Sequence, residues 1–206
     1  MNKTQVLITY RCAFAVLALV AVLAQLRHGL QYTNMSVGNF FSYFTIESNI
    51  LALAVFIVAA KAAYTKKTSR SLDYLRGAAT LYMTITGVIY SLLLSGIDVD
   101  VPLPWVNLVL HYVFPLAVVV DWLIDRPSVT VTYKKALFWL AFPLAYFVYS
   151  LIRGHFVGWY PYPFMNALQL GYAKVAVNAV VIAIGMVLLA LAIAWLGRNG
   201  QSAKKK

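Results

Sequence analysis

Charged side chains are scarce in this chain. Only 11% of its 206 residues are Asp, Glu, Lys or Arg, whereas a soluble domain carries about 25%. So few charges cannot cover a water-exposed surface, and the hydrophobic fraction is correspondingly high, at 62%. Cysteine is also nearly absent: Cys12 stands alone, which excludes an intrachain disulfide. The composition therefore excludes a soluble globular protein and predicts an integral membrane protein.

The apolar residues are grouped into six segments, each close to the roughly 20 residues that cross a bilayer. These segments cover residues 6–26, 40–60, 74–94, 103–123, 132–151 and 172–196. The first is too long for the core of a cleavable signal peptide. Together the segments predict an all-α integral membrane protein, in which residues 1–206 form a single domain of six transmembrane helices.

Basic residues outnumber acidic ones, 17 against six, but they are spread between the apolar segments and form no single patch for nucleic acid. Most of them, 14 of the 17, fall on the side that carries the N-terminus: Lys3, Arg11, Lys61, Lys66, Lys67, Arg70, Arg76, Arg126, Lys134, Lys135, Arg198 and Lys204, Lys205 and Lys206. The other side carries Arg27, Arg153, Lys174, Asp98 and Asp100. Because basic loops are retained in the cytoplasm, both termini are predicted to be cytoplasmic.

Two ionisable residues of opposite charge lie inside the spans near the predicted cytoplasmic face. Arg11 belongs to the first span and Asp121 to the fourth. An unpaired charge at this depth is costly, so the two residues are expected to form a structural ion pair. A proton or ion relay is the alternative interpretation.

A second polar layer is predicted in the outer half of the bilayer. It comprises Thr45, Ser48, Asn49, Asn107, His111, Lys174 and Asn178. Taken singly, such residues have simpler roles: a Thr bonds to its own helix, a His bonds to a neighbouring helix, and a Lys extends to the headgroups. Seven of them at one depth indicate a functional polar cavity instead.

The outer connection, residues 154–171, carries two Tyr-Pro dipeptides within the run Trp159-Tyr160-Pro161-Tyr162-Pro163-Phe164. Prolines stop a helix here and stiffen the loop. An interfacial belt of aromatic residues is one interpretation. A re-entrant cap over a cavity is the other, and the two are compatible.

Hydrolytic chemistry is available to the outer layer. A Thr hydroxyl becomes a nucleophile when a base takes its proton, and neutral His is the usual base. Thr45 and His111 fit these roles, with Asn107 to orient the imidazole. Asn107 can instead contact the substrate. The candidate groups for the substrate and the oxyanion are thus Asn49, Asn107, Lys174, Asn178 and Ser48. Three histidines without helical spacing predict no metal site, and no cofactor is expected.

Three stretches resemble the androgen-induced membrane protein family, which includes the androgen-dependent TFPI-regulating protein. They are Tyr43-Phe44-Thr45, the stretch from Trp105 through Asn107 and His111 to Pro115, and Trp159–Phe164. Mammalian members are intramembrane threonine hydrolases of fatty acid esters of hydroxy fatty acids. The resemblance implies that Thr45 and His111 are the catalytic pair. The run from Phe41 to Ile50 and the doubled Tyr-Pro are more similar to bacterial members, which implies a multi-pass protein of the bacterial inner membrane.

Two functions of different classes follow. The first is an intramembrane lipid ester hydrolase with an outer-leaflet cavity, whose partner is a membrane lipid or lipid ester. The alternative is a non-enzymatic membrane protein that binds or transports a lipid or small molecule. Neither function involves nucleic acid or a metal ion.

The predicted orientation can be tested with single cysteines introduced into a Cys12→Ser background. In intact cells Val157→Cys should react with a membrane-impermeant thiol reagent, because residue 157 is predicted to lie outside. Lys67→Cys should react only after the cells are permeabilised. The opposite pattern would reverse the orientation.

Overall fold

The computed structural model describes residues 2–33, 35–96 and 103–202. Six of its helices are long and apolar enough to cross a membrane: α1 (Lys3–Tyr32), α2 (Phe44–Thr65), α3 (Arg70–Leu94), α4 (Pro104–Ile124), α5 (Tyr133–Val157) and α6 (Tyr172–Arg198). The described residues contain no β-strand. The predicted all-α, six-helix, multi-pass membrane fold is therefore confirmed. Five of the charged residues on which the predicted orientation depends lie outside the described residues: Asp98, Asp100, Lys204, Lys205 and Lys206.

The two ends of the bundle differ, and we name them by their connections. An even number of spans puts the first and last described residues at one end, which we call the terminal end, together with residues 66–69 and 125–132. The other end, the loop end, carries residues 33, 35–43, 95, 96, 103 and 158–171. Val37–Phe40, Pro163–Met165 and Ala167–Leu170 form short helices at the loop end.

The second span begins later than its hydropathy predicts. Ser36 caps the four-residue helix Val37–Phe40 through its side chain, and the chain then turns before α2 begins at Phe44. Phe40 and Ser42 are buried, so this connection enters the bundle instead of running over its surface. Thr45 consequently lies in the first turn of α2, not five to seven residues along a helix that starts at residue 40.

Helices α1 to α4 pack closely, in chain order. Small side chains make this packing possible, because they let helix backbones approach each other. One buried cluster contains Ala15 and Ala18 of α1, Ala52 of α2 and Ala79 of α3. These four helices form a closely packed unit against which the other two helices lie.

Helices α5 and α6 pack together only near the terminal end. Tyr133–Leu137 and Phe138–Leu140 lie close to α6, but the backbones draw apart along Ala141–Val157. Leu144 and Val180, which flank the gap, are 64% and 59% exposed. The bundle therefore has a lateral opening between α5 and α6 towards the loop end.

Helices α3 and α4 each contain a π-helical turn, Tyr90–Leu94 in α3 and Val109–Val113 in α4. Such turns are rare and are concentrated at functional sites. The helices approach closely beside them: a Cβ on Gly87 would lie 3.1 Å from the carbonyl oxygen of His111. Periodicity in the sequence gave no signal of either turn, because a π turn adds one residue without changing the residue types.

Buried charges join four helices at the terminal end. Arg11 Nε lies 2.7 Å from Asp121 Oδ1, and Arg11 Nη2 lies 2.6 Å from Asp125 Oδ2. Arg76 approaches the same carboxylate from α3, with Nη2 2.8 Å from Asp121 Oδ2. Asp73 lies 3.6 Å from Arg76 and accepts hydrogen bonds from the backbone and hydroxyl of Ser128. The expected pair of Arg11 and Asp121 is thus part of a five-residue cluster.

Arg76 was assigned from the sequence only to the basic side of the membrane, yet it is 6% exposed. Its guanidinium also lies 5.9 Å above the ring of Trp122. Because two arginines contact the carboxylate of Asp121, they hold α1, α3 and α4 in register. Arg11 extends the cluster to α2 by donating to the carbonyl of Ala59 at 3.2 Å.

Removing one member of this cluster should cost more than removing a matched pair. Arg11→Met should destabilise the protein by about 3–5 kcal/mol, because Arg76 is then left alone with the three carboxylates of Asp73, Asp121 and Asp125. The double variant Arg11→Met/Asp121→Leu should melt at a higher temperature than Arg11→Met. It removes one positive and one negative charge together, and Arg76 still pairs with Asp73 and Asp125. Thermal unfolding in detergent measures both, with the exposed Arg27→Met as the control. Equal melting temperatures of the single and double variants would contradict a charge-coupled cluster.

Candidate active site

Thr45 and His111 meet between α2 and α4. Thr45 Oγ1 lies 3.3 Å from His111 Nε2. Thr45 is the second residue of α2, whereas His111 is seven residues past Pro104, the start of α4. The two side chains nevertheless meet, because the connection before α2 enters the bundle and starts that helix at the level of His111.

The backbone of α4 fixes the tautomer of His111. Nδ1 lies 3.2 Å from the carbonyl oxygen of Asn107, one turn earlier in the helix. A carbonyl oxygen only accepts, so Nδ1 carries the proton and donates it. The lone pair of Nε2 then points at the Thr45 hydroxyl, as a general base requires.

Tyr90 holds the other side of the imidazole. Its ring stacks on His111, with centroids 3.9 Å apart and planes 23° from parallel. The Asn107 side chain donates to Tyr90 Oη at 2.6 Å. Asn107 therefore orients the imidazole in two ways. Its backbone carbonyl accepts from Nδ1, and its side-chain amide holds Tyr90, whose ring stacks on the imidazole.

The hydroxyl of Thr45 is used differently from those of other threonines in the spans. Thr80 donates to the carbonyl of Arg76 at 2.8 Å, and Thr84 donates to that of Thr80 at 2.7 Å. These bonds to the preceding turn are the usual role of Thr in a membrane helix. Thr45 is in the first turn of α2, and the contacts of its hydroxyl are the side chains of His111 and Tyr162.

Tyr162 comes from the Pro/aromatic connection, residues 158–171, which we call the cap. Its Oη accepts the backbone N–H of Thr45 at 3.2 Å and lies 3.4 Å from Thr45 Oγ1. Tyr160 and Tyr162 are each 7% exposed. The connection is therefore a cap folded into the bundle as well as a band of aromatic residues. Burial raises the pKa of the Tyr162 phenol, which is neutral as a result.

Of the remaining residues in the predicted polar layer, some lie beside Thr45, and others contact the cap or lie on the surface of α6. Asn49 donates to the carbonyls of Thr45 and Leu110 at 2.8 and 3.3 Å, which occupies its amide hydrogens. Ser48 is fully buried, and its hydroxyl has no hydrogen-bond partner among the described residues. Asn178 donates to the carbonyl of Phe164 in the cap, at 2.8 Å. Lys174 is exposed on α6 and is not among the residues that line the cavity at Thr45.

Tyr90 and Tyr162 are the two site residues that sequence reasoning missed. An aromatic residue near the membrane surface has a ready explanation in the interfacial belt, so neither stood out. The doubled Tyr-Pro was the available signal for Tyr162, because two prolines fix the backbone that carries the phenol.

A cavity of about 410 Å³ begins at Thr45 and extends between α3, α5 and α6. Its lining is mainly apolar: Ile85, Ile89, Leu94, Leu140, Leu144, Phe147, Val175, Ala179, Val180, Ile182, Ala183, Met186 and Val187. Thr45, Tyr90, Tyr162 and Asn178 are among its few polar residues. Thr45 thus lies in the wall of an apolar cavity that reaches the lateral opening.

The sequence profile of the FAR-17a/AIG1-like protein family matches residues 5–198, which span all six helices. No curated protein and no solved structure gives a significant match to the chain. The matched range includes Thr45, His111 and the whole cap. The chain therefore belongs to the FAR-17a/AIG1-like family, the androgen-induced family that its sequence motifs predict.

Proposed function

We propose that this protein is an intramembrane lipid ester hydrolase in which Thr45 is the nucleophile and His111 its general base. The contact between Thr45 Oγ1 and His111 Nε2, at 3.3 Å, carries the proposal. Fatty acid esters of hydroxy fatty acids are the candidate substrates. In the orientation predicted from the basic residues, the site lies in the outer leaflet of a bacterial plasma membrane.

Acylation proceeds by proton transfer and carbonyl attack. His111 Nε2 takes the hydroxyl proton as Thr45 Oγ1 bonds to the ester carbon, and the carbonyl electrons move onto oxygen. When those electrons return, the bond to the alcohol oxygen breaks. The leaving alkoxide takes the proton from Nε2. The acyl group is then on Thr45, and the enzyme has regained neutral His111.

Water completes the cycle. It attacks the acyl carbon while Nε2 takes one of its protons, and that proton passes to Thr45 Oγ1 as the fatty acid leaves. The carbonyl of Asn107 stabilises the imidazolium formed in each half-reaction by accepting from Nδ1–H. This carbonyl occupies the position that a carboxylate has in a Ser-His-Asp triad. A neutral acceptor stabilises imidazolium less than a carboxylate does, so we expect slow turnover.

The shape of the cavity supports a long-chain substrate. The cavity follows α6 from Val175 to Val187, a rise of about 18 Å. One leaflet contributes about 15 Å of hydrocarbon to a bilayer, so a full acyl chain fits along α6. The lateral opening at Leu144 and Val180 lets the chain enter directly from the membrane.

The alternative, a non-enzymatic lipid carrier, is favoured by the same cavity, since an apolar lining suffices for binding. A carrier does not require an imidazole whose unprotonated Nε2 is directed at the hydroxyl of Thr45. The two functions therefore differ in what Thr45→Ala does: a carrier keeps its full function, and a hydrolase loses it.

Loss of either member of the pair should abolish hydrolysis. Thr45→Ala and His111→Ala should each reduce kcat for a fatty acyl ester at least about a thousandfold, and the double variant should be no worse, because the groups act as one unit. Thr45→Ser should keep measurable activity, since the hydroxyl remains. Labelling with an activated phosphonate, located by mass spectrometry, should fall on residue 45.

Thr84→Ala is the matched control for these variants, because Thr84 lies in a span and its hydroxyl donates to the carbonyl of Thr80 in the same helix. It should hydrolyse at the wild-type rate. A folded Thr45→Ala protein with wild-type hydrolysis would eliminate the enzymatic proposal.

Filling the cavity should change the preferred chain length. Ala183→Trp places an indole in the lining and should lower kcat/KM for a palmitoyl ester at least about tenfold relative to a butyryl ester, because each displaced methylene loses about 0.8 kcal/mol. Val181→Trp is the control, since Val181 is 64% exposed on the same helix. The same palmitoyl-to-butyryl ratio in both variants would show that the chain binds elsewhere.

A further inference from the structure

The proposed hydrolase needs a donor for the oxyanion that forms when Thr45 attacks, and the candidates from the sequence are poorly placed. Asn49 already uses its amide hydrogens on two backbone carbonyls. Lys174 is exposed on α6. Asn178 donates to the carbonyl of Phe164, which leaves it one hydrogen. An oxyanion with no preorganised donor costs several kcal/mol of barrier.

The Tyr162 phenol is a donor already directed at the nucleophile. In the resting site the Thr45 hydroxyl donates to Nε2 of His111, so the phenol donates to Thr45 Oγ1 across 3.4 Å. The oxyanion is two bonds from Oγ1. A small shift of the phenolic hydrogen therefore transfers the hydrogen bond from Oγ1 to the oxyanion.

We propose that Tyr162 is a catalytic residue, whose hydroxyl donates the hydrogen bond that stabilises the oxyanion in both half-reactions. This assignment rests on the proposed function of Thr45 and His111. It gives the cap a chemical role in addition to closing the cavity.

The N-terminus of α2 strengthens this donor. Tyr162 Oη accepts the backbone N–H of Thr45 at 3.2 Å, and a phenol that accepts one hydrogen bond donates a stronger one. The first turn of α2 also adds the positive end of the helix dipole at the place where negative charge develops. No proton leaves the phenol, because its burial keeps it neutral.

The cap holds the phenol in place before substrate arrives. Pro161 and Pro163 restrict the backbone on both sides of Tyr162. The Tyr162 ring stacks on Phe164, with centroids 5.2 Å apart and planes 5° from parallel, and meets Tyr43 edge-on at 5.7 Å. Such a preorganised donor needs no rearrangement during the reaction.

Tyr162→Phe removes the hydroxyl and keeps the ring. It should lower kcat by about 10²–10³ with little change in KM, and it should slow phosphonate labelling of Thr45. Tyr160→Phe is the matched control: it lies in the other Tyr-Pro dipeptide, is equally buried, and packs its ring against Gly154 rather than at the site. It should leave kcat unchanged. A folded Tyr162→Phe protein with wild-type kcat would overturn the assignment.

A second variant remains informative if Tyr162→Phe does not fold. Replacing Tyr162 with 3,5-difluorotyrosine keeps the hydroxyl and lowers its pKa. Because a phenolate cannot donate, the alkaline limb of the pH–kcat profile should move to lower pH than in wild type, whereas the same replacement at Tyr160 should leave it in place. A purely structural phenol would move neither limb, and that result would overturn the assignment.

Thr45→Ala, assayed beside these variants, separates the two proposals. If Thr45→Ala is inactive and Tyr162→Phe is fully active, only the role of Tyr162 falls. If Thr45→Ala is fully active, the hydrolase proposal and the role of Tyr162 fall together.

Discussion

A polar group buried in this bundle is stabilised only by partners within the protein, because the hydrocarbon around the bundle offers none. That constraint concentrates polar residues into two layers. At the terminal end, Arg11 and Arg76 share Asp121 and link four helices. Nearer the loop end, hydrogen bonds connect Tyr162, Thr45, His111 and the carbonyl of Asn107. The charged layer holds the helices in register, and that register allows a contact of 3.3 Å between α2 and α4.

The sequence predicts the number of spans and the two polar layers well, because hydropathy and the cost of buried charge act locally. Arg11 and Asp121 could be paired by depth alone, as could Thr45 and His111. The placement of Arg76, Tyr90 and Tyr162 could not be predicted in the same way. A basic residue near a helix end and a tyrosine near the membrane surface have common roles that need no tertiary contact. Only the fold shows that these three side chains point inward.

The geometry of the site depends on irregular backbone segments, which a periodic sequence pattern does not predict. The buried connection around Phe40 and Ser42 starts α2 inside the bundle. The π-helical turns at Tyr90–Leu94 and Val109–Val113 lie where the two rings stack. The span predicted at residues 40–60 begins four residues before α2 does, so it places Thr45 too far along its helix. The sequence predicts a role for Asn107 beside His111, and in the structure the backbone carbonyl of Asn107 makes the contact.

The separation of α5 and α6 along Ala141–Val157 has a kinetic consequence for the proposed hydrolase. A substrate that enters sideways never passes through water, so the enzyme responds to the mole fraction of ester in the bilayer and not to its amount per volume. Diluting the substrate with inert phospholipid lowers the rate even when the total amount is constant. The released fatty acid returns to the same leaflet, where it competes with fresh substrate for the opening. Membrane composition thereby becomes a regulator of turnover that needs no separate binding site.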